Sequence, residues 1–407
     1  MKKVLSFWTN TSLILRIACG IVIGAVLALT VPQAAFFGIL GDIFVGALKA
    51  IAPVLVALLV MSSLAKSGKN IGSQFTTVII LYMLTTFTAA IFSVFSSKLF
   101  PVSLALSDVA ENSAPAGLAD VFKTLFLNMV ANPISAIASG NYIGILFWAI
   151  IIGLALKHNA KEHTLDVITD FSDAVSKAVQ VVIQFAPFGI LGIVFSSVAD
   201  GGLNIFVSYG KLLGVLVGTM LFCSLIVNPI IIALLLKKNP YPLVFKCLKE
   251  SGIQAFFTRS SAANIPVNMA LCERLGLNKD FYSVSIPLGS TINMDGAAVT
   301  ITVMTLAAAN TVGIAVPIST AIFLSIISTL AACGASGVAG GSLLLIPMAC
   351  SFLGIGGDVA MQVVAVGFII GVIQDSVETA LNSSGDVIFT ATAEFYARMK
   401  AERKAKK

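Results

Sequence analysis

Long runs of apolar residues separated by short polar segments make up most of the sequence. A helix needs about 20 such residues to cross the hydrocarbon core of a bilayer, so the pattern predicts eight membrane helices. Their expected bounds are residues 12–31, 40–64, 75–99, 140–156, 178–199, 205–236, 281–310 and 359–394. The predicted fold class is therefore an all-α polytopic membrane protein.

Two further apolar segments, residues 243–277 and 318–353, do not fit this count. In each, two arms of about half a crossing flank a tip, which reads TRSS at 258–261 in the first and GASGVAGGS at 334–342 in the second. Such arms are typical of re-entrant hairpins that enter the membrane and return to the same face. Each hairpin precedes a long helix interrupted by polar residues. The sequence thus predicts an inverted repeat, a pattern that marks the binding sites of secondary transporters.

Composition agrees with a membrane protein, since 57% of the residues are hydrophobic and only 11% are charged, against about 25% charged in soluble domains. The net charge of +6 comes from lysines and arginines in short loops and in a basic tail at 397–407. The positive-inside rule explains this distribution better than nucleic-acid binding does, and it places both termini in the cytoplasm. Two histidines and six scattered cysteines offer no pattern for a thiolate or histidine metal site.

Three carboxylates, Asp375, Glu378 and Asp386, lie within the last predicted helix. Asp375, Thr379, Asn382 and Asp386 follow one another at steps of four, three and four, so they form one stripe. A carboxylate at the centre of a membrane helix costs about 2.5–3.5 kcal/mol on insertion scales. We therefore expect the stripe to face a bound cation, a polar substrate or a partner charge. The alternatives are a polar face that packs on another helix and a helix end outside the bilayer.

The seventh predicted helix contains the sequence PLGSTINMDG, in which Gly289 and Gly296 weaken the helix and free carbonyl oxygens. Asn293 and Asp295 add side-chain oxygens. Oxygen-only ligands suit a hard cation, and sodium fits best because a divalent site would gather more carboxylates. Neither hairpin tip is followed by the Gly-Lys-Ser/Thr of an ATP-binding loop, so we expect transport driven by an ion gradient, with no organic cofactor.

Four motifs in this order resemble those of the dicarboxylate/amino acid:cation symporter family, the glutamate transporter homologues. They are TRSS at 258–261, the glycine-rich second tip, NMDG at 293–296 and DxxxTxxNxxxD at 375–386. The resemblance covers nearly the whole chain, and within the family the chain looks like the bacterial sodium/serine-threonine symporters. It implies a homotrimer in the inner membrane of a bacterium, with eight helices and two re-entrant hairpins.

The resemblance also implies an elevator mechanism, in which a transport domain moves against a static scaffold and the second hairpin is the outer gate. The scaffold would comprise residues 12–66 and 137–200. The transport domain would comprise residues 75–99 and 205–394.

Carried over by position, the resemblance implies that Asp375 binds the amino group of the substrate. The hairpin tips would hold the substrate carboxylate, largely through main-chain N–H groups. The implied substrate residues are Ser260, Ser261, Val338, Gly340, Asp375, Glu378, Thr379 and Asn382. The implied sodium ligands are Tyr82, Thr85, Thr86, Gly289, Thr291, Asn293, Asp295, Asn382 and Asp386. On their own, the three hydroxyl residues of the third helix would be weak evidence, because hydroxyls often bond back to their own helix.

Glu378 departs from the family pattern, because members that carry acidic substrates have an arginine at this position. An arginine would pair with a substrate carboxylate, whereas a glutamate repels it. Glu378 would either accept a hydrogen bond from the hydroxyl of a small neutral substrate or pair with Arg259 at the first tip. In a second departure, Ala297 stands where the family has a threonine.

The predicted function is sodium-coupled uptake of small neutral amino acids, above all serine and threonine. Uptake of another small amino or dicarboxylic acid is the nearest alternative. A passive ion channel and an intramembrane aspartyl hydrolase are remote alternatives. The hydrolase needs two carboxylates that converge on one water, but Asp375 and Asp386 are about 16 Å apart along the helix.

Overall fold

A computed structural model describes residues 11, 13–66, 73–104, 106, 126–335 and 340–405. Within these ranges all regular secondary structure is helical, as predicted. The helices before the first hairpin are α1 Leu13–Thr30, α2 Gly38–Lys66, α3 Ser73–Leu99, α4 Pro133–Ser139, α5 Tyr142–Asn159, α6 Glu162–Gln184, α7 Ala186–Gly201, α8 Ile205–Phe222 and α9 Asn228–Leu236. The remaining helices are α10 Tyr241–Cys247, α11 Ile253–Thr258, α12 Ser261–Arg274, α13 Lys279–Ile292, α14 Asp295–Thr311, α15 Ile318–Ala332, α16 Ile346–Phe352 and α17 Gly357–Ala405.

In the described residues, six helical segments are long and apolar enough to cross a membrane, and a bent pair would make a seventh. Large apolar side chains remain exposed along them, as a lipid-facing surface requires. Examples more than half exposed are Val22, Ile43, Phe171, Val207 and Leu234. The structure therefore supports a polytopic membrane protein. The predicted count of eight membrane helices exceeds the six or seven candidate spans found in the described residues.

The predicted helix at 178–199 is wrong in its bounds. The structure has α6 and α7 there, bent by 53° at Phe185. The first half of α6 was missed because its acidic residues interrupt the apolar run. A signal was present, since Glu162, Asp166, Asp170 and Asp173 recur every three or four residues and form one polar face of a helix.

The helices form two packing groups. In the first group, α1 packs on α7, and α2 packs on α5, α6 and α7. Small residues bring these backbones into contact. An added Cβ at Gly192 of α7 would lie 2.4 Å from the backbone nitrogen of Gly41 in α2. The second group contains α3 and α8–α17, with α14 packed between α3 and α17.

Contacts between the two groups are sparser than contacts within them. One of them is an ion pair, in which Lys49 of α2 approaches Asp358 at the start of α17 at 2.5 Å. Both side chains are more than half exposed. Exposed pairs of this kind contribute at most about 1 kcal/mol, so the pair does not by itself lock the groups together.

Each predicted hairpin contains two short helical arms. The first runs out through α10, a π-turn Leu248–Gly252 and α11, reverses at Arg259 and returns as α12. The second runs out through α15 and returns through a 3₁₀ turn Ser342–Leu345 and α16. Both hairpins lie against α17 or α14. They bring their tips to the polar centre of the second group.

The contact at Gly192 predicts a local stability effect. Gly192→Ala should lower the stability of the folded protein by about 1–3 kcal/mol, because the added methyl group overlaps backbone that cannot turn aside. Thermal unfolding of the detergent-solubilised protein measures this effect. Gly214→Ala in α8 is the matched control, since nothing lies within 4 Å of its added Cβ. Equal melting temperatures for both variants would contradict the packing described for α2 and α7.

Candidate functional site

The centre of the second packing group is the break between α13 and α14. Asn293 and Met294 leave the helical conformation there, with φ/ψ of −91°/81° and −124°/48°. The backbone N–H of Met294 donates to the Thr86 hydroxyl of α3 at 3.2 Å, and that of Gly296 donates to the Asn382 amide oxygen of α17 at 2.8 Å. Polar side chains of the neighbouring helices thus satisfy backbone groups that the break exposes.

Glycine at position 296 allows this close approach. A Cβ on Gly296 would lie 2.9 Å from the Cα of Glu378, so α14 and α17 touch backbone to backbone. At Gly289, an added Cβ would lie 2.8 Å from both the Tyr82 hydroxyl and Asp386 Oδ1. Both glycines therefore act by leaving space for the neighbouring polar groups, in addition to the helix weakening expected from the sequence.

Asp386 is fully buried, and its Oδ1 accepts a hydrogen bond from Asn293 Nδ2 at 3.0 Å. The same amide nitrogen donates to the Asn382 carbonyl at 2.9 Å. Two other oxygens, Asp386 Oδ2 and Asn293 Oδ1, are buried without a hydrogen-bond partner among the described residues. A buried acceptor without a partner is costly, and a bound cation would satisfy these two.

Asp295 is held by two neighbouring helices. Its Oδ1 accepts from the Thr86 hydroxyl at 3.1 Å and its Oδ2 accepts from Asn228 Nδ2 at 2.8 Å. The Tyr82 hydroxyl lies 3.0 Å from the Thr390 hydroxyl and 3.2 Å from the carbonyls of Ser285 and Asp386. Tyr82 and Thr86 therefore line this region together with Asp295 and Asp386.

Two expected hydroxyl ligands also bond to their own helices. Thr85 donates to the carbonyls of Leu81 and Tyr82, and Thr291 donates to the carbonyl of Leu288 at 2.8 Å. Such back-bonding is common in helices, and it leaves the lone pairs of the hydroxyl oxygen available. The carbonyl of Gly289 accepts the backbone N–H of Asn293 at 2.8 Å.

Asp375 lies where the two hairpin tips meet α17. Its Oδ1 accepts the N–H of Gly340 from the second tip at 3.1 Å. The Arg259 guanidinium of the first tip is 3.7 Å from its Oδ2. Both tip residues have left-handed backbone, with φ of 75° at Gly340 and 49° at Arg259. The Asp375 side chain is 5% exposed and that of Arg259 11%, so this is a nearly buried charge pair.

Glu378 does not pair with Arg259 in the described structure, which corrects one of the two expected roles. Its Oε2 accepts from Gln374 Nε2 at 2.5 Å and from the hydroxyls of Thr300 and Ser342 at 2.7 and 2.9 Å. These three donors come from α17, α14 and the second hairpin, and all three reach the same carboxylate oxygen, Oε2. Arg259 is held one turn away by Asp375.

The other expected substrate residues surround Asp375 and Glu378 along α17 and at the first tip. Thr379 and Asn382 are buried on α17, and Ser261 is buried in the first turn of α12. Ser260 caps α12, and its hydroxyl accepts the N–H of Ala263 at 3.2 Å. Val338 lies outside the described residues.

Several residues of the site were not expected from the sequence. Thr300, Ser342 and Gln374 hold Glu378, and Asn228 holds Asp295. Asn228 does carry a signal in the sequence, because an asparagine within the apolar run 205–236 is a polar residue that needs a partner. Gln374, four residues before Glu378 on the same helix, has a similar signal in its spacing, whereas Thr300 and Ser342 have none.

Among the described residues, four buried carboxylates, those of Asp295, Asp375, Glu378 and Asp386, thus share one region with a single nearly buried cation, Arg259. No three His, Cys, Asp or Glu side chains of the described residues gather at one point as for a multivalent metal. The acids are spread along α14 and α17, and each has its own set of donors. The arrangement suits several separate monovalent positive groups.

Comparison with known proteins identifies relatives across nearly the full length. The sequence model of the sodium:dicarboxylate symporter family matches residues 13–394. A serine/threonine transporter SstT of Bifidobacterium adolescentis is 58% identical over 404 residues, which cover 99% of this chain and 94% of the relative. Proteins of the same name from Streptococcus thermophilus and Streptococcus agalactiae are 57% and 56% identical, over 97% of this chain and 98% of each relative. The resemblance inferred from the motifs is confirmed.

The hydrogen bonds of Asn293 predict a stability effect that does not depend on transport. Asn293→Ala leaves buried Asp386 without its amide donor, and should lower the stability by about 1.5–3 kcal/mol, the usual contribution of a hydrogen bond to a charged group. Thermal unfolding in choline buffer without added alkali cations measures it. Asn204→Ala is the control, because Asn204 is exposed and caps no helix through its side chain. A melting temperature of the Asn293 variant equal to that of the control would refute the role given to this amide.

Proposed function

Because the chain belongs to the sodium:dicarboxylate symporter family, we propose that it is a sodium-coupled carrier for the uptake of serine and threonine across the inner membrane of a bacterium. Sodium coupling follows from the family, and the substrates are those named for the relatives at 56–58% identity. These relatives are named transporters, and the chain is accordingly not an enzyme.

The observation that carries the proposal is the excess of buried carboxylates over cations around the break between α13 and α14. Four carboxylates in a low-dielectric region repel one another, and one guanidinium cannot balance their charge. Further positive groups are therefore needed there. Sodium at Asp386 and Asp295, and an ammonium group at Asp375, supply positive charge at those three positions. A zwitterionic amino acid brings its ammonium group together with a carboxylate, which requires donors close by.

We assign Asp375 to the substrate amino group. Its Oδ2 has no hydrogen-bond donor among the described residues, and only the Arg259 guanidinium lies near it. The substrate carboxylate would bind the main-chain N–H groups of the two tips beside Ser261 and Gly340, where backbone donors of a turn favour an anion. Thr379 and Asn382 would complete the substrate site. The sodium positions are those lined by Tyr82, Thr86, Asn293, Asp295 and Asp386.

Glu378 favours a neutral substrate over an acidic one. Its carboxylate repels a second carboxylate on the ligand, and the three donors around Oε2 keep it in place. An aspartate or glutamate substrate would need an arginine here. The hydroxyl of serine or threonine can instead donate to this acid, so Glu378 distinguishes this chain from relatives that carry dicarboxylates.

The two packing groups would serve as scaffold and transport domain. The first group would stay fixed in a homotrimer, and the second would carry substrate and sodium across the membrane with the second hairpin as its outer gate. Sparse contacts between the groups support this division. The termini would lie in the cytoplasm, as the positions of the lysines and arginines indicate. Ligands that bind one state more tightly than the other would shift the carrier between states.

The alternatives lack comparable support. Asp375 and Asp386 have different hydrogen-bond partners and do not converge, as a hydrolase would require. A passive channel would dissipate a gradient and would not concentrate a solute. Accumulation of labelled serine above its external concentration excludes both alternatives.

Asp375→Asn should reduce sodium-driven serine accumulation to the level of empty liposomes, because a neutral amide no longer balances the ammonium group. Uptake of radiolabelled serine into proteoliposomes, with an inward sodium gradient and with choline in its place, measures this. Asp280→Asn removes an exposed acid at the start of α13 and should transport normally. Wild-type accumulation by the Asp375 variant would rule out the assignment of the amino group.

Glu378→Arg should reduce serine uptake at least about tenfold and make it sensitive to competition by aspartate, because the new cation lies among three donors and attracts a second carboxylate. Glu378→Gln is the matched control, since it keeps the size of the side chain and one acceptor oxygen. Competition assays against serine uptake give both selectivities. Unchanged uptake and selectivity in the arginine variant would place residue 378 outside the substrate site.

A further inference from the structure

Asn228 lies in an unusual part of the helix that runs from residue 205 to 236. Residues Cys223–Val227 form a π-turn between α8 and α9, and the backbone N–H of Asn228 donates to the carbonyl of Cys223 five residues earlier. Such turns insert one residue into a helix and occur often at functional sites. This turn changes the direction in which the following side chains leave the helix.

The next residue stabilises the deformation. Pro229 has no N–H, so the carbonyl of Leu225 loses its usual helical partner. The hydroxyl of Tyr241, at the start of the first hairpin, donates to that carbonyl at 3.1 Å. The irregular segment is therefore fixed in place with its exposed carbonyl satisfied, and it holds the Asn228 side chain against α14.

The amide of Asn228 has one satisfied end and one unsatisfied end. Its Nδ2 donates to Asp295 Oδ2 at 2.8 Å. Its Oδ1 is buried without a hydrogen-bond partner in the described part of the chain, and the residue is 8% exposed. Asn293 Oδ1 and Asp386 Oδ2, at the proposed cation site, have the same property. Within the described residues, three acceptor oxygens that belong to or lie beside the carboxylates of Asp295 and Asp386 are thus left without donors.

We propose that Asn228 is a further oxygen ligand of the transported sodium at Asp295, and that its side-chain amide rotates by half a turn when the ion binds. This inference rests on the proposed sodium coupling. Without sodium, the Nδ2–H group takes the place of the cation on Asp295 Oδ2. A half-turn about the Cβ–Cγ bond exchanges this donor for Oδ1 at almost constant volume, because the two ends of an amide are nearly equal in size.

Electrostatics favours the exchange in both states. An amide hydrogen stabilises the bare carboxylate, but it would face a bound cation with the wrong sign. The amide oxygen has the sign that a hard cation requires. The half-turn therefore converts an internal counter-group into a ligand, and it makes α9 a third helical segment, beside α3 and α14, that senses the ion.

Removal of the Asn228 amide tests the proposal, because the two possible roles of this residue predict opposite changes in sodium affinity. A residue that only donates to Asp295 competes with the ion for Oδ2, so its loss would leave sodium affinity unchanged or raised. Loss of an oxygen ligand lowers the affinity. Asn228→Ala should raise the half-saturating sodium concentration at least about tenfold, since even the loss of a group that only supports an ion ligand typically has an effect of that size. Asn228→Asp keeps the oxygen and adds charge, so its value should be at or below the wild-type value.

The measurement is the sodium-dependent rise in melting temperature of the purified protein without substrate, with choline keeping the ionic strength constant. Asn310→Ala is the matched control, because its amide donates to the carbonyl of Val102 at the end of α14, away from the carboxylates. A half-saturating concentration for Asn228→Ala equal to or below that of wild type overturns the proposal. If the alanine variant does not fold, a raised value for Asn228→Asp overturns it instead.

Serine accumulation by the wild-type protein keeps this test separate from the proposed function. Failure of the wild-type protein to accumulate serine would refute the proposed function. Wild-type accumulation combined with undiminished sodium affinity in Asn228→Ala would refute only the role of Asn228.

Discussion

Burial of negative charge is the constraint on which the second packing group depends. Asp295, Asp375, Glu378 and Asp386 are each less than a tenth exposed, and each requires donors or cations. The break between α13 and α14, the amides of Asn293 and Asn382 and the two hairpin tips all lie where they meet these requirements. In the described residues the protein directs three of its own donors to Oε2 of Glu378, but it leaves one buried oxygen each of Asp375 and Asp386 without a donor. These two oxygens are the ones that a bound positive group would satisfy.

The same constraint brings the proposed ion and substrate sites close together in space. Asn293 contacts both Asp386 and the carbonyl of Asn382, while the Asn382 side chain accepts from Gly296. A cation that reorients Asn293 would therefore act on the residues of the proposed substrate site. Coupling of this kind would need no long pathway, because the two proposed sites share side chains and one backbone break.

Much of this arrangement could be predicted from the sequence, for identifiable reasons. The stripe from Asp375 to Asp386 has the period of a helix, and the NMDG motif marks the break. The bend at Phe185 could not be predicted from the apolar pattern, because charged residues interrupt that pattern in the first half of α6. The sequence did not decide which acid pairs with Arg259. Asp375 and Glu378 are one turn apart on the helix, and sequence spacing alone cannot show which of them a distant hairpin tip approaches. The contacts of Thr300 and Ser342 with Glu378 could not be predicted, since they depend on how three separate segments pack. Gln374 lies four residues before Glu378 on α17, so the helical spacing alone would place these two side chains together.

The continuity of α17 has a consequence for how such carriers diverge in specificity. This helix is 49 residues long without interruption, and Asp375 and Asp386 are fixed on it about 16 Å apart by the rise of the helix. The helix keeps these two acids at a constant separation, so it would also fix the distance between the proposed ion and amino-acid sites. A change of substrate would then require changes in the residues that face this helix, such as the hairpin tips or position 378. Specificity could in this way diverge by point substitution while the end of the helix that carries Asp386 stays unchanged.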